Sequence, residues 1–184
     1  LHRALAMAST MGLEGLSIGG VAKAADMSKS GLFAHFSSKE ALQLQVLETA
    51  AERFIEMVVR PILAHERGEP RVRAFFENWL AWARSELPGG CVFISAAAEL
   101  DDRPGALRDY LVSSQRDALA TVRRAAHISV EEGHFRADLE VEQFAYEFYS
   151  LILAFHYFHH LLSDPQAADR ARRSFEELLA RSRP

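Results

Sequence analysis

From Leu1 to Leu179 the apolar residues of this chain return every three or four positions, and the rhythm breaks at serine, aspartate, glycine or proline. A stripe of that period is buried as one face of an α-helix, and no stretch alternates with period two for long enough to make a strand. The expected fold class is all-α, with about nine helices and no internal repeat.

Leu1, Leu5 and Ala8 share a face and Gly12 ends the run, which sets a first helix over 1–12. Ser17 precedes a short second helix carrying Ile18, Val21 and Ala22 and ending near Ala24. Ser28 opens a third, which reaches only to about Ala34 because Ser37, Ser38 and Glu40 offer the next helix start. A long amphipathic helix then carries Leu42, Val46, Leu47, Ala50, Phe54, Met57 and Val58 up to Pro61. Proline lacks the amide proton and should kink or end it. Pro70 suits the first position of another helix, whose apolar side runs from Val72 to Leu87 before Pro88-Gly89-Gly90. Further helices are expected from Val92 to Leu100, from the cap at Asp101 and Asp102 to near Glu132, from Glu140 to Leu162, and from Ser163-Asp164-Pro165 to near Arg181.

Composition excludes several classes. With 49% hydrophobic and 25% charged residues the chain is no disordered segment, and no apolar run reaches the length of a membrane span. Cys91, the single cysteine, leaves no internal disulfide and fits a reducing compartment, so the expected location is the cytoplasm. Leu1 is already in helical register, so residues upstream are expected. A net charge of −4 argues against a general nucleic-acid coat. Residues 1–48 are neutral, with Arg3, Lys23, Lys29 and Lys39 balancing Glu14, Asp26, Glu40 and Glu48. Any DNA contact therefore belongs at the N-terminal end.

Two short helices separated by Ala25-Asp26-Met27 have the geometry of a helix-turn-helix, in which the second helix enters the major groove. Asp26 sits where the turn wants a left-handed residue. Ser28, Lys29 and Ser30 would face base edges and phosphates, Gly31 would let the backbone approach, and Leu32 and Phe36 would be core. His35 and Lys39 lie near the next helix start, where positive charge suits a phosphate.

The stretch from Gly12 to Leu42, with its turn, the His35-Phe36 pair and the Ser38-Lys39-Glu40 helix start, resembles the N-terminal signature of the tetracycline-repressor (TetR) family of bacterial transcriptional regulators. The resemblance implies that Ser17, Ser28, Lys29, Ser30, Gly31, His35 and Lys39 face DNA. Three positions depart from the family pattern: the turn glycine is Asp26, a common threonine is Gly31, and the usual tyrosine is Phe33. Phe33 has no hydroxyl to donate to a phosphate, and is kept as a DNA-side position that meets DNA differently. The implied organisation is a DNA-binding domain over 1–45 and a ligand-binding and dimerisation domain over 46–184. The implied partners are palindromic operator DNA, a second copy of the chain and a small-molecule effector, with no cofactor.

For the larger part, the helix from Glu140 to Leu162 is apolar nearly all round and must be buried on several faces. With the last helix it offers a four-helix interface between two copies, for which Phe155, Phe158, His159, Phe175 and Leu178 are the candidates. Trp79, Trp82, Phe93, Tyr110, Phe148, Tyr149 and His156 are the candidates for a pocket taking a largely apolar or aromatic effector. The expected lever between effector and DNA is the helix from Ser38 to Pro61.

Other readings stay open at this level. His156, His159 and His160 share part of one helix surface and could serve a small metal-dependent enzyme, although no HExxH pattern accompanies them. Cys91 could be a redox sensor at a helix start. The helix pair could also be a plain hairpin in an interaction module that never meets DNA.

Overall fold

A computed structural model describes residues 1–184, apart from the side chains of Ser85 and Glu86. Among the described residues nine α-helices follow one another: α1 (His2–Met11), α2 (Ile18–Ala24), α3 (Lys29–His35), α4 (Lys39–Phe54), α5 (Glu69–Ala81), α6 (Val92–Leu100), α7 (Ala106–Glu131), α8 (Val141–His156) and α9 (Ala167–Ser182). No strand occurs among the described residues, and none of their helices is long and apolar enough to cross a membrane.

The helix ends differ from expectation in one consistent way. α4, α5 and α8 do not stop at their last α-helical residue but widen into π-type turns, over Ile55–Val59, Trp82–Glu86 and Tyr157–Leu161. The break in α4 thus comes before Pro61, which lies in a tighter 3₁₀ segment, Arg60–Ala64. Proline can offer no amide to the turn before it, and the Val58 carbonyl in that stretch accepts from Asn78 Nδ2 at 3.2 Å.

Two compact units emerge, neither continuous in sequence: residues 1–53 with 85–115, and residues 54–84 with 116–184. In the first, α1 packs on α2 and α6, and Leu5, Leu13, Leu16, Leu42, Val46 and Leu47 form the core. Gln43 is buried there because its Nε2 donates to the Leu13 carbonyl at 2.7 Å. Gly89 packs so closely that a Cβ would lie 1.7 Å from the Ser9 carbonyl oxygen, while its amide donates to Ser9 Oγ at 3.2 Å. No side chain fits at that position.

The second unit is built on phenylalanine. Phe76 stacks on Phe175 with ring centres 3.9 Å apart, Phe148 meets both edge-on, and Phe75, Phe144 and Phe135 extend the cluster. Each such side chain, fully buried, contributes roughly 1.5–3 kcal/mol. At the rim, Glu69 accepts from Arg73 Nε at 2.7 Å and Arg183 Nη2 at 2.6 Å, and Arg73 grips Glu176 with two further bonds. The guanidiniums of Arg183 and Arg73 hold the Glu69 carboxyl below its ordinary value. α5, α9 and the C-terminal residues are thereby tied together. The α5 start is capped by a residue distant in sequence, since His134 Nδ1 accepts the Glu69 amide at 3.1 Å.

Candidate nucleic-acid interface and effector site

The first unit carries the helix pair. Ser17 has extended backbone and its Oγ accepts from the Gly20 amide at 3.0 Å, which starts α2. α2 ends in a Schellman closure: the Met27 amide donates to the Ala22 carbonyl at 3.0 Å and that of Asp26 to the Lys23 carbonyl at 3.4 Å. Asp26 takes the left-handed conformation such a closure needs, at φ 55°. Arg3 on α1 then braces the turn, donating to the Ala24 carbonyl and reaching Asp26 Oδ2 at 3.5 Å. Nothing in the spacing of the sequence marks Arg3 for that role.

Ser28 starts α3 in the same way, its Oγ accepting from the Gly31 amide at 3.0 Å. The Ser17 hydroxyl keeps a proton to donate outward, whereas Ser28 Oγ lies 3.3 Å from Ser30 Oγ, so one of these two hydroxyls donates to the other and the other donates outward. A Cβ at Gly31 would sit 2.9 Å from Ser28 Oγ, so a side chain there would push on the capping hydroxyl. Along α3, Leu32 is buried while Lys29, Ser30, Phe33 and His35 are exposed, and Phe36, which follows the helix, is buried too. Phe33 is 54% exposed, an apolar ring held out on an otherwise polar face.

The cations of this region differ in what they already hold. Lys39 donates to the Glu14 carbonyl at 2.6 Å and lies 3.4 Å from its carboxylate, so it ties α4 to the loop after α1. Among the described residues Lys23 and Lys29 form no ion pair. The charge left for an external phosphate therefore lies at the end of α2 and the start of α3.

The expected effector residues divide between the two units. Phe93 is buried and Tyr110 half-buried in the first. In the second, Trp79 and Trp82 flank Phe54, with ring centres 4.9 and 5.7 Å from it, and Trp79 also meets Tyr149 at 5.6 Å. Phe148 lies within the phenylalanine cluster. His156, two turns beyond Tyr149 on α8, is half-buried and sits 4.8 Å from His160, whose Nε2 is 2.7 Å from the Ala83 carbonyl. Burial, then the neighbouring His160 and His159, lowers the His156 pKa to about 4, so the ring is neutral at pH 7.

Comparison with known proteins bears on both parts. The sequence model described as bacterial regulatory proteins, tetR family, matches residues 1–46, and that of the tetracyclin repressor-like C-terminal domain matches residues 68–175. The chain belongs to the TetR family. Among solved structures, a TetR regulator from Chloroflexus aurantiacus superposes with a TM-score of 0.85 at 23% identity, covering 97% of this chain and 89% of that one. A TetR-family regulator from Streptomyces coelicolor gives 0.86 at 19%, covering 100% and 93%. AibR, solved with isovaleryl coenzyme A and operator DNA, gives 0.68 at 20%, covering 84% and 82%. At these identities the likenesses establish the fold alone. Comparison with curated proteins gives no match.

In this TetR-family chain the residues expected at a dimer interface fall into two groups. Phe155, Phe175 and Leu178 are buried within the protomer, Phe175 by its stack on Phe76, because the apolar stripe of α9 is consumed by α5 and α8. Phe158 is 41% exposed, His159 is half-buried and stacks on Phe155, and Leu153, Tyr157, Leu161 and Leu162 are exposed beside them. Among the described residues no group of three His, Cys, Asp or Glu side chains is placed to hold a metal ion. Cys91 is buried at the start of α6. Phe54, which both tryptophans flank, had signalled only a helix face in the sequence.

Proposed function

We propose that this protein is an effector-responsive DNA-binding transcriptional regulator, acting as a dimer on a palindromic operator and released from it when the effector binds. The observation that carries the reading is the reading head itself, a capped helix pair in which Lys29, Ser30, Phe33 and His35 are exposed while Leu32 and Phe36 anchor the helix. Residues 1–45 supply DNA contact and residues 46–184 dimerisation and effector binding. Lys29 and His35 meet phosphates, and Ser17, Ser28 and Ser30 donate from their hydroxyls. Lys39 acts chiefly by holding the loop at Glu14.

The dimer forms through α8 and α9. An apolar groove of about 190 Å³ between them, lined by Leu151, Ala154, Phe158 and Ala171, together with exposed Leu161 and Leu162, supports that face. AibR, a structural relative, was solved with both an acyl coenzyme A and operator DNA, which supports pairing the two functions in one chain. Trp79, Trp82, Tyr149 and His156 line the effector site, and α4 transmits its occupancy to the reading head.

The test is binding of the full chain to its own promoter region, measured by fluorescence anisotropy against random duplex over a range of salt. The expected result is a salt-sensitive preference for the promoter that Lys29→Ala weakens. Equal binding to both duplexes, unchanged by Lys29→Ala, overturns the regulator reading.

A further inference from the structure

Among the described residues, three buried side-chain atoms of the second unit have no hydrogen-bond partner: Trp79 Nε1, Trp82 Nε1 and His156 Nε2. A buried polar group left unsatisfied costs about 1–3 kcal/mol, so three in one region call for a cause. The neighbouring rings do not supply one, since an N–H directed at an aromatic face is a weak contact.

The residues that carry them are linked by ring contacts and one hydrogen bond. Phe54 touches both indoles, Trp79 meets Tyr149, His156 lies against His160, and the bond from His160 to the Ala83 carbonyl fastens the turn after α8 to the residue following Trp82. Around them α4, α5 and α8 all widen into π-type turns, directly after Phe54, at Trp82 and directly after His156. Such turns are rare and gather at functional sites. Their occurrence on three helices around one aromatic group is an observation independent of the unpartnered atoms.

We propose that this group binds a neutral, mostly apolar molecule through a carbonyl-type oxygen, which accepts hydrogen bonds from the indole N–H groups of Trp79 and Trp82. The proposal rests on the reading that the C-terminal helices hold an effector, and it names the chemistry of that effector. An indole nitrogen can only donate, so the occupant must present an acceptor. A cation brings none and would face two positive N–H ends. A carboxylate would be buried against two neutral indoles and an uncharged His156, while the cations next to the group, Arg53 before Phe54 and Arg84 beside His159, are half-buried and exposed. A hydrocarbon leaves all three atoms as they are. A ketone, ester or amide oxygen satisfies both indoles without burying charge, and neutral His156 Nε2 can take either role toward a second polar group.

The chain contains two tryptophans, so its indole N–H spectrum holds two signals and both report on this group. The experiment titrates the ¹⁵N-labelled full chain with four probes that share one ring system: 2-acetylnaphthalene, 2-naphthoate, 2-naphthyltrimethylammonium and naphthalene. The expected result is that the ketone moves both indole signals and binds about tenfold or more tighter than each of the others. Trp82→Phe, and separately Trp79→Phe, should remove one signal and weaken the ketone while leaving naphthalene unchanged. The proposal is overturned if no probe moves either signal, if the carboxylate, the ammonium or the hydrocarbon matches the ketone, or if both Phe variants weaken ketone and hydrocarbon equally. The readout uses no DNA. A chain that prefers its promoter but leaves both indoles unmoved sinks this inference alone, whereas ketone binding without promoter preference sinks the regulator reading alone.

Discussion

Glu99 on α6 holds Glu14, 85 residues away, by its backbone: Glu99 Oε2 accepts the Glu14 amide at 2.8 Å, and Oε1 accepts that of Leu13 at 3.2 Å. One carboxylate thus closes the loop between α1 and α2, on which the reading head is mounted. Glu99→Ala leaves both amides without an acceptor and should cost about 1–3 kcal/mol, seen as a lowered melting temperature. Glu99→Gln keeps one acceptor oxygen and should lose less. Equal stability of wild type and Glu99→Ala would show that water replaces the carboxylate.

Two lysines of the reading head should separate when mutated. Lys29→Ala should weaken promoter binding and lower the salt slope of the binding constant by about one. Lys39 is engaged with Glu14, so Lys39→Ala should lower thermal stability and change the salt slope less. Anisotropy titrations at several salt concentrations, paired with melting curves, distinguish the two.

Asp26 occupies the left-handed region at φ 55°. A β-branched residue is costly there, so Asp26→Val should destabilise by roughly 1–2 kcal/mol, while Asp26→Asn should be nearly neutral. Losing the ion pair to Arg3 matters little, since both side chains are well exposed. Denaturant midpoints of the two variants give the comparison, and equal midpoints would contradict the strain argument.

Acid should weaken the second unit in two stages. The folded His156 pKa of about 4 lies below the ordinary 6.5, so the unfolded chain binds the extra proton first as pH falls. The stabilising effect of a neutral His156 is complete above pH 6.5 and is lost between 6.5 and about 4; His159, also lowered, adds to that loss. The carboxyls of Glu69, Glu147 and Glu176 are lowered too, and their contribution disappears only at more acid pH. Melting temperatures from pH 7.5 to 5 should therefore fall, and His156→Asn should flatten the slope.

Glu69 joins Arg73 and Arg183, and its removal leaves two guanidiniums without their shared acceptor. Glu69→Ala should cost about 1–3 kcal/mol at neutral pH. Raising the salt concentration in the same melts should recover little of it, because the Glu69 side chain is only 13% exposed.

Much of this was legible in the residues. The Ser17 and Ser28 caps, the left-handed Asp26 and the buried Leu32 and Phe36 follow from local chemistry, which a sequence displays. Contacts between distant segments leave no such trace. Neither Glu99 nor His134 occupies a pattern that announces which amide it will cap, and Arg3 is one more helical cation until the turn is placed beside it. The same limit explains the α9 residues. Phe175 and Leu178 form an apolar stripe that fits a second protomer or the chain's own core equally well, and nothing in that stripe announces the stack of Phe175 on Phe76. The π-type turns are hidden because a single widened turn at a helix end displaces the apolar stripe by only about one residue, too little for a sequence pattern to show.

The non-contiguous first unit has a consequence for anyone exchanging operator specificities between relatives. The reading head is not a cassette that can be cut out at one junction, because residues 85–115 complete it: Glu99 supplies the loop's acceptor and Gly89 fills the space at Ser9. A chimera joined near residue 45 grafts a new head onto another protein's foundation. Transplanting the α6 segment along with it keeps head and foundation matched.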